Sequence, residues 1–228
     1  MAASTRKTVE LFYDVVSPYS WIAFEVMCRY RTKWNIDLKL KPFFLGGIMS
    51  GADNKPPGLV PAKAKYMLKH DLSRLGNYYS IPIIPPSNPA EVMFVKGTLM
   101  PQRFLTAVDM QQPELVEDLS RQFWMRAWNK DQGISDEEGI RETCKDISFP
   151  KDLMEDCLKK TKDQTVKDRL KQFTTEALDL GAFGSPTIVA HVNNKREMVF
   201  GSDRFLILAS ILNEEWLGPL KELSKAKL

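Results

Sequence analysis

The chain has 228 residues, of which 43% are hydrophobic and 27% are charged, a composition typical of a soluble globular protein with a sizeable core. No apolar run approaches the roughly 20 residues that a membrane-spanning helix needs. The 32 Lys and Arg residues against 29 Asp and Glu residues give a net charge of +3, which is too small to indicate a nucleic-acid partner. A small anionic ligand remains compatible with this charge.

The cysteines and histidines exclude several kinds of catalytic site. Cys28, Cys144 and Cys157 have no CxxC spacing, so neither a disulfide framework nor a dithiol redox pair is predicted, and a reducing compartment fits best. His70 and His191 lie far apart and lack a neighbouring arrangement of Cys, Asp or Glu. We therefore set aside a metal hydrolase and a Ser-His-carboxylate triad, and expect neither a metal site nor a tightly bound cofactor.

The first 45 residues predict a β-α-β unit with parallel strands. Residues 8–16 are rich in β-branched and aromatic side chains, which is typical of a buried strand. Ser17 is a favoured N-cap and Pro18 suits the first helical position, so a largely buried helix is expected to begin there. Residues 36–42 then alternate between apolar and charged side chains, as in a half-buried strand. Since ligands of such units gather beyond the carboxyl ends of the strands, Ser17 lies where a ligand is expected.

A helical block follows this unit. Residues 46–62 are dense in Gly, Pro, Asn and Asp and predict a long loop, which in a compact protein is often functional. The apolar pattern is then mostly helical from residue 63 to about residue 180, and the last of these helices is expected to end at Gly181. The absence of a flexible linker favours an insertion in one α/β domain over a separate second domain.

The last 40 residues predict a β-hairpin and a final helix. Residues 187–192 and 197–200 are typical of strands, and Asn193-Asn194 is a good hairpin turn. Ser202 and Asp203 offer caps for a helix running towards Trp216.

Two short motifs lie at the predicted edge of the sheet. Ser17-Pro18-Tyr19-Ser20 has the layout of the C-P-x-C redox tetrapeptide of thioredoxin-like oxidoreductases, with both cysteines replaced by serine. Gly184-Ser185-Pro186-Thr187 precedes the third strand, where that superfamily places a cis-proline loop facing the tetrapeptide. Ser17 alone would be an ordinary cap, but the two matches together favour a functional site. Without a resolving thiol at position 20, a thiol-disulfide oxidoreductase is not predicted.

The chain as a whole resembles the kappa-class glutathione transferases, which share their scaffold with bacterial disulfide oxidoreductases and 2-hydroxychromene-2-carboxylate isomerases. The resemblance spans nearly the whole chain and is carried by VELFYDVVSPYSW (9–21), NKPPGLVP (54–61), RFLTAV (103–108), GAFGSPTIVAHV (181–192) and FGSDR (200–204). It implies an α/β fold in which a thioredoxin-like, glutathione-binding domain (β-α-β and β-β-α, residues 1–62 and 176–228) is interrupted by an all-helical insertion (residues 63–175).

The resemblance implies a transferase that conjugates glutathione to small hydrophobic electrophiles, with reduction of organic hydroperoxides as an open second activity. Ser17 would stabilise the glutathione thiolate with a hydrogen bond, assisted by the positive end of the helix that begins at Pro18. Two alternatives stay open. One is a glutathione-dependent cis-trans isomerase on the same scaffold, and the other is a non-catalytic scaffold or chaperone-like protein that would not bind glutathione.

The family pattern also implies which residues bind glutathione: Ser17, Pro18, Tyr19, Asn54, Lys63, Ser185, Pro186, Ser202, Asp203 and Arg204. Ser185 would offer its backbone to the cysteinyl part, although some family members are expected to have a larger apolar residue there. Ser202 and Asp203 would hold the γ-glutamyl end, or act as helix caps alone. Asn54 and Lys63 would bind the glycyl end, or Lys63 is a solvated lysine. Arg204 would assist through its charge.

The sequence also favours particular partners and a cellular location. The resemblance implies a homodimer, and the aromatic series Phe123, Trp124 and Trp128 favours core packing or a subunit contact over an electrophile pocket. The segment Ala226-Lys227-Leu228 is a conservative variant of the S-K-L address, so we expect an import receptor as a partner and favour the peroxisome. The first residues contain no apolar signal segment and few arginines, so secretion is not expected and a mitochondrial location is the weaker alternative.

Overall fold

A computed structural model describes residues 6–226, and within them the strands form one mixed sheet. The order across the sheet is β2-β1-β3-β4, with bounds β1 Lys7–Tyr13, β2 Ile36–Pro42, β3 Thr187–Val192 and β4 Lys195–Phe200. The predicted parallel pairing of β1 with β2 is confirmed, while β3 runs antiparallel to β1 and to β4. Because β1 is central and covered on both faces, its side chains form a nearly continuous apolar run.

Apart from α2, which the sequence did not predict, the helices follow the predicted order. Their bounds are α1 Pro18–Lys33, α2 Leu45–Gly51, α3 Pro61–Tyr66, α4 Leu72–Tyr79, α5 Leu99–Asp109, α6 Val116–Trp128, α7 Glu137–Asp146, α8 Lys151–Lys160, α9 Gln164–Asp179 and α10 Phe205–Leu212. Short 3₁₀ turns lie at Pro57–Leu59, Pro113–Leu115 and Lys221–Leu223, and π-helical segments at Met67–Asp71 and Glu91–Lys96. The predicted α/β class with helices inserted between β2 and β3 is confirmed. The domain boundaries drawn at residues 62/63 and 175/176 stay predictions.

The core lies on both faces of the sheet. On one face Val9 and Leu11 of β1 belong to a large cluster that includes buried side chains of α1 and the inserted helices, with Trp124 among them. On the other face Phe12 belongs to a smaller cluster with Phe173 of α9. The inserted helices therefore share the core of the sheet, as the absence of a flexible linker predicted.

The prediction of a loop over residues 46–62 is wrong for its first part, because the chain forms α2 there. The glycines that suggested a loop instead allow close packing. A Cβ atom added to Gly51 would lie 2.6 Å from Leu178 Cδ1, and one added to Gly47 would lie 3.0 Å from Thr174 Cγ2. Single-sequence reasoning read these glycines as turn residues, whereas they permit α2 to approach α9.

The predicted caps and length of the last helix are also wrong. Helix α10 begins at Phe205, so its N-cap position falls on Arg204 and not on Ser202 or Asp203, and no side chain caps it. The Asp203 carboxylate is paired with the Arg204 guanidinium at 2.7 Å. The helix ends at Leu212 and does not reach Trp216, whose ring stacks instead on Tyr30 of α1 at 4.9 Å. The predicted N-cap of α1 is confirmed, with Ser17 Oγ accepting the hydrogen bond of the Ser20 N–H.

The chain after α10 is fastened to α1. The buried Arg29 guanidinium donates to the Pro219 carbonyl at 2.8 Å and to Ser224 Oγ at 2.9 Å. Ala226 is only 4% exposed, while Lys227 and Leu228 lie outside the described residues, so the peroxisomal address stays a prediction. Over residues 6–226 we find no helix with the length and apolar character of a membrane span.

Candidate active site

The N-terminus of α1 follows the carboxyl end of β1. Ser17 Oγ accepts the Ser20 N–H at 3.1 Å, and the Ser17 carbonyl accepts the Trp21 N–H at 3.3 Å. Pro18 has no N–H, so the Tyr19 N–H is the first-turn donor that has no partner within residues 6–226. The positive end of a 16-residue helix and one unused N–H therefore lie beside the Ser17 hydroxyl.

The two motifs found in the sequence meet in space. The Ser185-Pro186 peptide bond is cis, as the resemblance implied. Ser17 Oγ donates a long hydrogen bond of 3.4 Å to the Ser185 carbonyl, and Ser20 Oγ lies 2.6 Å from Ser185 Oγ. At 3.4 Å the bond made by the Ser17 hydroxyl is weak, so its hydrogen can be redirected to a better acceptor.

A cavity of about 310 Å³ opens above these residues. Four members of the predicted set line it: Ser17, Pro18, Tyr19 and Ser185. Most of the remaining wall is apolar and comes from α2, the residue before it, and the two π-helical segments: Phe44, Leu45, Met49, Met67, Met93 and Phe94. The cavity thus combines a polar floor at the α1 N-terminus with an apolar wall, which suits a ligand of mixed character.

Asn54 and Lys63 of the predicted set do not line this cavity. Asn54 Nδ2 donates to the Phe183 carbonyl at 2.6 Å, which fastens the chain after α2 to the segment that leads into Ser185. Lys63 is exposed in α3, four residues before the cavity residue Met67. Their roles in ligand binding stay predictions.

Ser202, Asp203 and Arg204 lie next to the cis-proline loop. The Gly201 N–H donates to the Pro186 carbonyl at 3.0 Å, so the segment that follows Gly201 begins beside that loop. Ser202 is buried, whereas Asp203 and Arg204 are exposed and paired with each other. These three residues flank the cavity without lining it, and their roles also stay predictions.

Asp14 is a member of the site that sequence reasoning missed. It is fully buried, lines the cavity, and accepts hydrogen bonds from the Val16 N–H, the Leu45 N–H and the Thr98 hydroxyl at 3.0, 2.9 and 2.6 Å. Burial raises the pKa of this carboxyl to about 6 even though the three donors lower it. The available signal was a charged residue in a mostly apolar run, directly after the end of β1.

Two tryptophans of the insertion hold the chain that precedes α1. Trp124 Nε1 donates to the Ser17 carbonyl at 3.0 Å, and Trp128 Nε1 donates to the Val16 carbonyl at 3.1 Å. Both rings are fully buried, so their predicted place in the core is confirmed. Their indole N–H groups also fix the backbone direction at Ser17, which apolar periodicity could not reveal.

Gln102 of α5 fixes the backbone at the end of β1 with its side-chain amide. Its side-chain amide donates to the carbonyls of Tyr13 and Phe43 at 2.9 and 2.7 Å, and so joins β1 to the chain after β2. The side chain is fully buried. The insertion therefore positions the floor of the cavity through side-chain donors.

None of the three cysteines is placed to act as a nucleophile. Burial raises the pKa of all three thiols, to about 12 for Cys144 and about 11 for Cys157, and Cys28 is shifted in the same direction. None of them lines the cavity. A thiolate that reacts there must therefore be brought by a ligand.

Comparisons with known proteins agree with this geometry. The family model described as a DSBA-like thioredoxin domain matches residues 8–213. "Glutathione S-transferase kappa 1" of Homo sapiens is 44% identical over 222 residues, covering 97% of this chain and 98% of the relative. This chain belongs to the kappa class of glutathione S-transferases. A second kappa-class relative, "Glutathione s-transferase kappa 2" of Caenorhabditis elegans, is 34% identical and covers 95% of this chain and 96% of its own length.

A solved structure supports the fold of this kappa-class chain. The selenomethionine form of 2-hydroxychromene-2-carboxylate isomerase superposes with a TM-score of 0.71 at 18% identity, covering 90% of this chain and 94% of the isomerase. At this identity the likeness concerns the fold alone. The predicted membership in the kappa class rests on the two relatives, which match along almost their whole length.

Proposed function

We propose that this kappa-class chain is a glutathione transferase that binds glutathione with its sulfur at the N-terminus of α1 and activates it as a thiolate. One observation carries the proposal. The Ser17 hydroxyl, its weak bond to the Ser185 carbonyl and the unused Tyr19 N–H converge on the floor of a cavity with an apolar wall.

The Ser17 hydroxyl and the N-terminus of α1 together can supply the free energy needed to stabilise the glutathione thiolate. A free thiol has a pKa near 8.5, and lowering that pKa by about two units requires about 2.7 kcal/mol of preferential stabilisation of the thiolate. A hydroxyl bond to a charged acceptor provides about 1.5 to 3 kcal/mol, and a helix N-terminus about 0.3 to 1 kcal/mol. When the buried Asp14 carboxyl is ionised, its negative charge disfavours a thiolate in the same cavity. The three hydrogen bonds to Asp14 favour its ionised form, so they also affect the stability of the thiolate.

The two ends of the tripeptide fit the flanks of the cavity. Ser202, Asp203 and Arg204 beside the cis-proline loop supply a carboxylate for the γ-glutamyl amino group and a cation for its carboxylate. Asn54 and the exposed Lys63 would supply a donor and a positive charge for the glycyl carboxylate. Between them, the Ser185 backbone would pair with the cysteinyl residue as an added strand does.

The apolar wall is the proposed site of the electrophile. The thiolate sulfur forms a bond to an electron-poor carbon there, and either a leaving group departs with its bonding electrons or a double bond takes up a proton after addition. Conjugation of small hydrophobic electrophiles is therefore the proposed reaction. Reduction of organic hydroperoxides is a second proposed reaction of the same thiolate: the sulfur takes the terminal oxygen, the alcohol leaves, and a second glutathione reduces the sulfenic acid to glutathione disulfide and water. A homodimer remains part of the proposal on the family resemblance, and sedimentation velocity would test it by the mass of the particle.

Replacing Ser17 tests the proposal. Ser17→Ala removes the hydroxyl, so kcat/KM with glutathione and an activated aryl chloride should fall about tenfold to a hundredfold at neutral pH. Ser210→Ala serves as the control, because Ser210 is exposed on α10 far along the chain from the cavity residues. Equal kcat/KM values for the native and Ser17→Ala proteins would refute the role of Ser17, and failure of the native protein to bind glutathione would refute the function.

A further inference from the structure

A third serine hydroxyl lies beside the two that occupy the tetrapeptide. Ser185 Oγ is 2.6 Å from Ser20 Oγ, and Ser185 lines the cavity where the glutathione sulfur is proposed to lie. The sequence and the family pattern assigned a role to the backbone of Ser185 only. The contacts of its side chain indicate a role of their own.

The hydrogen bonds around Ser185 leave two arrangements. A serine hydroxyl has one hydrogen and two lone pairs. The Asp14 N–H donates to Ser185 Oγ at 3.3 Å, so one lone pair is used. In the first arrangement Ser20 donates to the second lone pair, and the Ser185 hydrogen is free to point into the cavity. In the second, Ser185 donates to Ser20 and has no hydrogen left for a ligand.

The burial of Ser20 makes the first arrangement available. Ser20 is 0% exposed, and Ser185 Oγ is the partner of its hydroxyl within the described residues. Reversing this one bond costs neither residue its partner, because each hydroxyl can donate or accept. An anion in the cavity favours the arrangement in which Ser185 offers its hydrogen, and a chain of two hydroxyls strengthens the outer bond by polarisation.

We propose that the Ser185 side chain donates a second hydroxyl hydrogen bond to the sulfur of bound glutathione, with Ser20 donating to Ser185 from behind. The inference rests on the proposed function and deepens it. Ser17 and Ser185 then approach the sulfur from the two motifs, one from the N-terminus of α1 and the other from the cis-proline loop. Both keep their protons, while the thiol proton leaves to solvent when the thiolate forms.

A pair of variants of equal shape separates the hydroxyl from packing. Ser185→Thr keeps the hydroxyl, whereas Ser185→Val has nearly the same volume without it. We expect Ser185→Val to raise the pKa of the bound glutathione thiol by about 1 relative to Ser185→Thr, read from the thiolate absorbance. The kcat/KM at neutral pH should fall about tenfold, and the two variants should converge at high pH, where the thiolate forms without help.

Ser20 is a positioning residue in this scheme, so its effect must pass through Ser185. Ser20→Ala should raise the thiol pKa in the native background by less than Ser185→Val does, and should change little when combined with Ser185→Val. Thr187→Val is the structural control, because Thr187 begins β3 directly after this loop, and its buried hydroxyl donates to the Gly184 carbonyl and does not line the cavity. It should leave the thiol pKa unchanged.

The results distinguish this inference from the proposed function. If the native protein lowers the thiol pKa and Ser17→Ala raises it, but Ser185→Val, Ser185→Thr and Ser185→Ala all equal the native protein, the Ser185 role is wrong and the transferase stands. If the native protein does not bind glutathione, both are wrong. Circular dichroism and thermal unfolding of each variant confirm that folded proteins are compared, and Ser185→Ala replaces either β-branched variant that does not fold.

Discussion

The buried Asp14 carboxyl should make the stability of the protein fall as the pH rises. Its pKa is raised in the folded protein from the usual 3.8 to about 6, because burial disfavours the charged form more than three hydrogen bonds favour it. The folded state therefore holds this proton more tightly than the unfolded state. Between about pH 4 and about pH 8 the ionisation of Asp14 should lower the free energy of unfolding by about 3 kcal/mol.

The assay is urea unfolding at a series of pH values for the native protein and for Asp14→Asn. An asparagine does not titrate, and its amide N–H₂ faces the Leu45 N–H, so the variant loses a hydrogen bond by an amount that does not depend on pH. Subtracting the two curves removes the carboxyls that both proteins share. The free energy of the native protein relative to Asp14→Asn should fall by about 3 kcal/mol across this range.

A second variant checks the cause. Thr98→Val removes the 2.6 Å hydrogen bond to Asp14, so the pKa of the carboxyl should rise further and the decline should move to higher pH. A difference between the native protein and Asp14→Asn that is flat, or that rises with pH, would refute the reasoning.

Two further substitutions and one control variant test the contacts that support the sheet and the site. Trp124→Phe removes the shorter of the two hydrogen bonds to the Ser17 carbonyl and leaves only the 3.3 Å bond from the Trp21 N–H, so both the free energy of unfolding, by about 1 to 3 kcal/mol, and kcat/KM should fall. Trp21→Phe is the control, because its indole donates to a side chain of its own helix, and it should lower only the free energy of unfolding. Lys41→Met removes the ion pairs of Lys41 with Glu10 and with Glu176. Because Lys41 lowers the pKa of Glu10 in spite of its burial, urea unfolding should show a loss of about 1 to 3 kcal/mol at neutral pH that shrinks below about pH 4. Equal kcat/KM losses in the two tryptophan variants, or a pH-independent loss for Lys41→Met, would contradict these accounts.

The parts of the fold that the sequence predicted depend on local rules. A strand before Ser17, the Ser17 cap on α1 and the turn at Asn193-Asn194 each follow from a few neighbouring residues, and the structure has all three, although the strand predicted over residues 8–16 ends at Tyr13. The α2 helix was missed because its glycines serve a contact with α9, more than 120 residues away in the chain. Local composition carries no information about such a partner.

The site residues also divide into those that local motifs predict and those that depend on distant partners. Ser17 and Ser185 were found because each lies in a short motif, and the motifs meet through a hydrogen bond. Asp14, Gln102 and the indole donor of Trp124 were not assigned to the site, because each has at least one partner that is distant in the chain and reaches it only in the folded protein. The sequence shows a polar group within a buried segment, but only the structure shows which partner that group contacts.

The central claim is that Ser17 stabilises a glutathione thiolate at the N-terminus of α1. The most direct measurement is a pH titration of the thiolate absorbance of glutathione bound to the native protein and to Ser17→Ala. The account predicts that the bound thiol has a pKa well below the free value near 8.5 and that Ser17→Ala moves it back towards that value. A bound thiol that titrates like free glutathione in the native protein, or whose lowered pKa is the same in Ser17→Ala, would contradict it.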